Sequence, residues 1–357
     1  MDGAPTDPAG PLPAAAGTLG EFALIARYFT RPTAERQGIG DDCALIDVGD
    51  STLAISSDML LEGVHFLPGA DPHALGHKAL AVNLSDLAAA GAQPRCFLLD
   101  LALPRADESW LAAFSRGLFE LAARHGCTLV GGDTTRTPQG AGGAGPITIA
   151  ITILGSVDRA SYRGRAGARP GDDIWVSGQL GEAALGLALR RGELTLPPAA
   201  RAACLERMDR PQARVALGRA LAGRASAMID VSDGLLGDLA HILERSYRAD
   251  DGSAPLGRGA LGATLFWAQL PRAGFFDPLP PALQQRCVLA GGDDYELAVT
   301  APPQWRAELA ALRCEGAGLT RIGRVEAAPG IRVHAGHEGA GAELALALQS
   351  FDHFRSS

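Results

Sequence analysis

Positive charge is in short supply. The chain has 32 basic residues against 40 acidic ones, for a net charge of −8. That disfavours a broad basic surface for DNA or RNA. Cysteine is sparse and scattered: Cys43, Cys96, Cys127, Cys204, Cys287 and Cys314 form no CxxC pair. A structural zinc site is therefore not expected, and reduced thiols in a cytoplasmic protein are the simpler expectation. Histidine and cysteine do not cluster, which argues against zinc and copper alike. No apolar run reaches the roughly 18 residues that a bilayer-spanning helix needs. The N-terminus lacks the basic-then-apolar order of a signal peptide. No GxxxxGK followed by Ser or Thr occurs, and no GxGxxG opens a helix after a strand, so P-loop and dinucleotide folds have no support. No short tandem repeat is visible.

What remains is a chain of globular composition, 47% hydrophobic and 20% charged over 357 residues. That length is too great for one ordinary core, so two α/β domains are expected. The Pro-, Ala- and Gly-rich residues 1–17 read as a disordered tail, 18–157 as a first domain and 158–357 as a second, with a basic hinge over 158–172. In the first, "EFALIARYF" at 21–29 has helical spacing. "CALIDV" (43–48) and "STLAIS" (51–56) read as strands joined at Gly49 and Asp50. Helices are expected near 72–90 and 107–125, and strands at 95–103, 128–132 and 146–157. In the second, strands are expected at 173–178, 295–301 and 321–325 and near "SAMIDVS", with helices near 181–192, 199–208, 211–223, 233–248 and 303–312. The Gly-rich stretches 136–146 and 251–263 read as loops.

Acidic residues recur where apolar segments end: "GIGDDC" (38–43), "ISSDML" (55–60), "NLSDLA" (83–88), "VGGDTT" (130–135), "IDVSDGLLGDL" (229–239) and "AGGDDYEL" (290–297). A buried charge without a partner is costly. Asp58 is expected to end its strand, and Asp230 to end the apolar "AMI". Asp233 alone would serve equally as a helix N-cap, and Asp41 with Asp42 as a polar turn. As a set, the acids are better explained by convergence in a crevice of an α/β sheet. Their mutual repulsion would require cations. Mg²⁺ suits oxygen ligands shared with phosphates, and Ser56 and Ser57 offer further hydroxyl or carbonyl oxygens. The accompanying glycines, Gly132 and Gly234 among them, would let backbone N–H groups approach phosphate.

The ordered motifs "GEFALIARYF", "GIGDDCAL", "SSDMLLEGVHF", "HKALAVNLSDLAAAGAQP", "LVGGDTT", "IDVSDGLLGDL" and "GGDDYEL" resemble the thiamine-monophosphate kinase family, of the aminoimidazole ribonucleotide synthetase superfamily. The resemblance runs from about Gly20 to Phe354. It implies a two-domain α/β fold whose N-terminal domain forms the core of a homodimer, and ATP- and Mg²⁺-dependent phosphorylation of thiamine monophosphate to thiamine diphosphate. It implies Asp42, Ser56, Ser57, Asp58, Asp86, Asp133, Asp230 and Asp233 as ligands of several magnesium ions. Gly132, Asp133, Arg165 and Ser232 would contact ATP, and His65, Asp293 and Phe351 the substrate. Asp293 stands where some relatives have Glu, and Phe351 where some have Trp or Tyr. Asp58 and Asp86 should be the positions most sensitive to change. No nucleic-acid or membrane partner is implied. The rival readings are another enzyme of the superfamily, such as a selenophosphate synthetase, and a non-catalytic nucleotide sensor that keeps its magnesium sites.

Overall fold

The computed structural model describes residues 20–30, 39–138, 145–248 and 261–346. The expected tail at 1–17, Gly38, Phe351 and the centres of both Gly-rich stretches lie outside them. A helix, α1 (Glu21–Tyr28), precedes the first sheet. That sheet holds β1 (Ala44–Val48), β2 (Ser51–Leu61), β3 (Gln93–Leu103), β4 (Thr128–Arg136) and β5 (Thr148–Val157), in the order β1-β2-β5-β3-β4. Strands β1 and β2 form the expected hairpin, with Val48 paired to Ser51 across Gly49 and Asp50.

Two strands differ from expectation. Strand β2 continues through Asp58 to Leu61, because β5 pairs with it from Thr52 to Leu61. Asp58 is therefore mid-strand rather than at a strand end. Strand β4 is longer than expected and forms an exposed edge. Polar residues are tolerated there because one flank and one face meet no other element of the sheet.

Helix α2 (Pro72–Ala89) packs on one face of this sheet, and α3 (Glu108–His125) packs against α2. Asp71 caps α2 by accepting from Ala74 N–H over 2.8 Å, and Asp107 caps α3 through Trp110 N–H over 3.1 Å, as Asp does at helix starts. Helix α2 has little amphipathic character and is buried nearly all round. The reason lies in its neighbours: the first sheet, α3, and elements of the second half.

The second sheet has the order β12-β8-β11-β6-β9-β7, with the short β10 (Arg313–Cys314) paired to β11. Its strands are β6 (Asp173–Ser177), β7 (Ala227–Val231), β8 (Gly262–Phe266), β9 (Glu296–Ala301), β11 (Ala317–Glu326) and β12 (Gly330–His334). Helices α4 (Glu182–Arg190), α5 (Pro198–Asp209), α6 (Val215–Ala220), α7 (Leu235–Arg248), α8 (Pro281–Ala290) and α9 (Arg306–Ala311) complete this half. Strands β8 and β12 and helix α8 were not expected. "GATLF" and "GIRVH" sit beside glycine-rich turns, and α8 is not amphipathic, so neither period shows in the sequence.

Leu80, Leu84 and Leu87 of α2 share a core cluster with Trp175, Met228, Leu297 and Val299 of the second sheet. Helix α2 thus joins the halves through buried apolar surface. Gly218 of α6 permits the closest approach, since a Cβ there would lie 2.0 Å from the Ala88 carbonyl oxygen. All six cysteines are free thiols. No helix among the described residues is long and apolar enough to cross a membrane.

Candidate active site

Three carboxylates meet at the C-terminal part of α2. Asp86 comes from the helix, Asp42 from the loop before β1, and Asp230 from β7. Each offers an oxygen within 4.8 Å of the others. Ser56 Oγ on β2 donates to Asp86 Oδ2 over 2.5 Å. Ser85 Oγ donates to Asp230 Oδ2 over 2.7 Å. Arg165 holds Asp42 Oδ1 through Nη2 at 2.5 Å and Nε at 3.2 Å. The other Asp42 oxygen, Oδ2, is buried and has no hydrogen-bond partner among the described residues.

The cost of this assembly appears in the acidities. Burial raises the Asp42 carboxyl to about 7. Arg165 opposes that rise, and the charges of Asp230 and Asp41 add to it. Asp58 is raised to about 6 by burial and by the charges of Asp233 and Asp42. Asp230 is also raised to about 6 by burial, against the Ser85 hydrogen bond and Arg165. Asp86 is raised well above the usual carboxylate range, by burial and then by the charges of Asp58, Asp230 and Asp42. Asp58 and Asp233 thus share the field of the trio. Carboxylates resist ionisation together unless positive charge joins them. The donors are all oxygens, and one buried oxygen lacks a partner. That set fits a hard divalent cation such as Mg²⁺.

The loop after β7 carries Asp233 and is organised by Asp238. Asp238 Oδ2 accepts from the N–H groups of Ser232, Asp233 and Gly234 at 3.1, 3.2 and 3.1 Å. The loop leading into α7 is therefore tied to the first turn of the helix through one buried carboxylate oxygen. Those three N–H groups are consumed and do not cradle a phosphate. Gly234 serves conformation instead: its φ is +111°, and a Cβ would lie 2.7 Å from the Ala290 carbonyl carbon.

Strand pleating sorts the remaining candidates, since successive side chains face opposite sides. The Ser57 hydroxyl lies 3.0 Å from Thr152 Oγ1 on the face away from α2. Its hydroxyl is thus not directed at the acid trio, which leaves only its carbonyl as an oxygen for that site. Gly132 lies in the row Asp58–Ile151–Leu99–Gly132. A Cβ on Gly132 would meet the Leu99 carbonyl oxygen at 1.9 Å, so strand packing alone demands glycine. Asp133 lies in the next row, with Asp100, Ala150 and Met59, on the opposite face, and it accepts from Thr134 N–H over 2.8 Å. It is not among the three converging carboxylates. His65 Nδ1 accepts from Leu61 N–H over 3.0 Å, which fixes the ring proton on Nε2. Asp293 is held by Lys78 Nζ at 2.8 Å and Tyr295 Oη at 3.1 Å. Lys78, Ser85, Asp238 and Tyr295 were not expected to matter. The one signal for Lys78 and Ser85 was polarity inside the apolar "HKALAVNLSDLAAAG".

Residues 40–157 match the family described as AIR synthase related protein, N-terminal domain, which is the class that this sheet and its acid-lined helix define. Over 319 residues the chain is 44% identical to the thiamine-monophosphate kinase of Escherichia coli K12, covering 86% of this chain and 91% of that protein. The crystal structure of thiamine-monophosphate kinase from Stenotrophomonas maltophilia K279a is 40% identical, with a TM-score of 0.71 over 84% of this chain and 91% of that one. The structure of AaThiL complexed with AMPPCP and TMP has a TM-score of 0.76 at 30% identity, over 94% of this chain and 97% of that one. The chain belongs to the thiamine-monophosphate kinase family.

Proposed function

We propose that the chain transfers the γ-phosphoryl group of ATP to the phosphate of thiamine monophosphate, giving thiamine diphosphate and ADP by direct in-line displacement. The observation that carries this reading is the convergence of Asp42, Asp86 and Asp230, with the Asp42 Oδ2 atom buried and unpartnered. A relative has been solved with both AMPPCP, an ATP analogue, and TMP bound, which is the pairing this reaction needs.

Both substrates are anions, so their repulsion is the main obstacle. Asp42, Asp58, Asp86, Asp230 and Asp233 would hold Mg²⁺, with the hydroxyl of Ser56 and the carbonyl of Ser57 as further oxygens. When bound, Mg²⁺ neutralises phosphate charge and lets the two substrates approach. The chain's own part is positioning. Ser56 and Ser85 hold Asp86 and Asp230 in fixed orientations. Arg165, paired with Asp42, brings the second half's positive charge to the site and would meet ATP there together with Ser232 and Gly132. His65, with Nδ1 engaged by the Leu61 N–H, would contact the acceptor, as would Asp293 and Phe351. No general base is required, because a phosphomonoester has its second pKa near 6 and is largely dianionic near neutral pH. No covalent nucleophile is required either.

Among the described residues the first sheet carries helices on one face only. Its other face bears exposed Ile46, Val48, Met59 and Leu98, with Val130 at the β4 bulge. A bare apolar face of this kind favours association, and a homodimer through this face is the natural assembly. Asp133 lies on it, so any role of Asp133 falls at the seam between copies. Leu98→Asp combined with Val130→Asp should yield a monomer by sedimentation; a dimer that persists would place the interface elsewhere.

The activity is tested by mixing the protein with ATP, Mg²⁺ and thiamine monophosphate. ADP and thiamine diphosphate should appear together. Binding of ATP with no product would favour the sensor reading and overturn this one.

A further inference from the structure

The segment before β9 is unusual in its backbone. Asp293 has φ +69° and Tyr295 has φ +49°, values that side chains other than glycine rarely adopt. Such strain persists only where the surroundings impose it, and it gathers at functional sites. Here the surroundings are explicit. Asp293 N–H donates to Ser232 O, and Tyr295 N–H to Val231 O, each over 2.8 Å. The strained turn is thereby strapped to the end of β7, beside Asp230 and Asp233.

The Asp293 side chain is gripped as firmly as its backbone. Lys78 Nζ donates to Oδ2 over 2.8 Å, and Tyr295 Oη donates to Oδ1 over 3.1 Å. The Lys78 side chain is only 6% exposed, whereas that of Asp293 is 39% exposed. The buried partner is thus the holder, and the accessible carboxylate is the group presented. Among the described residues the Lys78 ammonium has Asp293 as its one acceptor. Tyr295 remains a neutral donor, since burial and then the charge of Asp293 push its phenol well above the usual range.

Helix geometry explains why Lys78 can do this. Lys78 and Ser85 are seven residues apart, which places them on one face of α2 about 10 Å apart along its axis. Both reach the second half: Ser85 grips Asp230, and Lys78 grips Asp293. One helix face therefore sets two acidic residues of the other half at a fixed spacing. The charge balance also matters. An isolated carboxylate would repel an incoming phosphate, whereas the Lys78–Asp293 pair carries no net charge.

We propose that Lys78 and Tyr295 are positioning residues for the phosphate acceptor: they fix the Asp293 carboxylate so that it can bind the acceptor without repelling its phosphate. This rests on the activity proposed above and names the residues behind its acceptor site.

The test compares wild type with Lys78→Met, Lys78→Arg, Tyr295→Phe and Asp293→Asn. Steady-state kinetics are read for each substrate, together with calorimetric binding of thiamine monophosphate in the absence of ATP. Lys78→Met should raise the acceptor KM and Kd by about 10- to 100-fold, the usual worth of a hydrogen bond to a charged group. The KM for ATP should move by less than about threefold. Lys78→Arg should recover part of the loss, and Tyr295→Phe should cost about 3- to 10-fold. The double variant Lys78→Met with Asp293→Asn should be no worse than the poorer single variant, because both remove one contact. An unchanged acceptor Kd in Lys78→Met would overturn the inference. So would equal losses for both substrates with a lowered melting temperature, the mark of a purely structural lysine. Wild type that binds acceptor without turnover would refute the activity, and the Kd comparison would still decide the role of Lys78. Wild type that binds no acceptor would overturn both.

Discussion

Ser85 Oγ donates to Asp230 Oδ2 over 2.7 Å, reaching from α2 in the first half of the chain to β7 in the second. The next residue, Asp86, points to the first half and accepts from Ser56. Adjacent helical residues diverge by about 100°, so one turn of α2 addresses both halves of the site. Ser85 is fully buried and Asp230 nearly so. Ser85→Ala would leave that carboxylate oxygen without its donor, a loss of about 1–3 kcal/mol. The expected outcome is a lower melting temperature and a weaker apparent affinity for Mg²⁺, measured by thermal denaturation across a magnesium titration. Wild-type behaviour in both readings would show that Asp230 is oriented by something else.

The carboxyl group of Asp86 should be indispensable. Asp86→Asn keeps the shape and the Ser56 contact but removes one of the converging charges. The loss expected is about a thousandfold in kcat, the upper end for removing one preorganised electrostatic group. The metal-free fold should be as stable as wild type or more so, because burial and then the charges of Asp58, Asp230 and Asp42 raise the Asp86 pKa, and a neutral amide escapes both costs. Turnover assays and thermal melts in a chelator read the two effects separately. Near-normal activity would remove Asp86 from the site.

The buried acids Asp42, Asp58 and Asp230 also make the stability pH-dependent. In the metal-free fold Asp42 has its pKa at about 7, and Asp58 and Asp230 at about 6, against an ordinary 3.8. A carboxyl raised on folding binds its proton more tightly in the native state. Its contribution is present below the ordinary value and is lost as pH rises through the folded pKa. Loss is therefore expected between about pH 4 and pH 7. His77 and His241, lowered to about 4 chiefly by burial, act in the opposite sense over much of that window. The clean measurement is thus the gain from magnesium at each pH, since the histidines enter both arms equally. With magnesium fixed at one concentration, about a hundredfold above its Kd at pH 8, the gain there should be about 2.7 kcal/mol. It should be far larger near pH 8 than near pH 5, where protons compete for the same oxygens. A pH-independent gain would mean that the cation binds elsewhere.

Much of this site was legible because its acids break apolar runs. Asp86 inside "NLSDLAAAG" and Asp230 after "AMI" announce themselves, since hydrocarbon neighbours leave a charge no cheap alternative. The position of Asp58 within β2 was not legible. "SSDML" reads as the end of a strand, and only pairing with β5 carries the backbone through it. Lys78 was hidden for a different reason: its partner Asp293 is 215 residues away, and no local pattern encodes that meeting. Ser57 and Asp133 looked alike to Ser56 and Gly132 in sequence, yet the pleat turns each to the opposite face.

Asp238 was also missed, although it was in plain view. It is the third aspartate in nine positions, and the short spacing concealed that one acid organises the others. Its Oδ2 gathers the N–H groups of Ser232, Asp233 and Gly234, so the loop carrying two candidate site residues hangs on a single buried atom. Asp238→Ala strands three donors at a helix start, and a loss of about 2–4 kcal/mol is expected, above that of an ordinary helix cap. Asp238→Asn can present its amide oxygen in the same place and should lose less than half as much. Both stabilities are measured by urea denaturation. Kinetics then separate folding from function: at temperatures where Asp238→Ala is folded, its kcat should still fall by at least about tenfold, because Ser232 and Asp233 no longer hold their places. If Asp238→Ala is destabilised but turns over at the wild-type rate, the loop needs no such anchor, and Asp233 and Ser232 lie outside the chemistry.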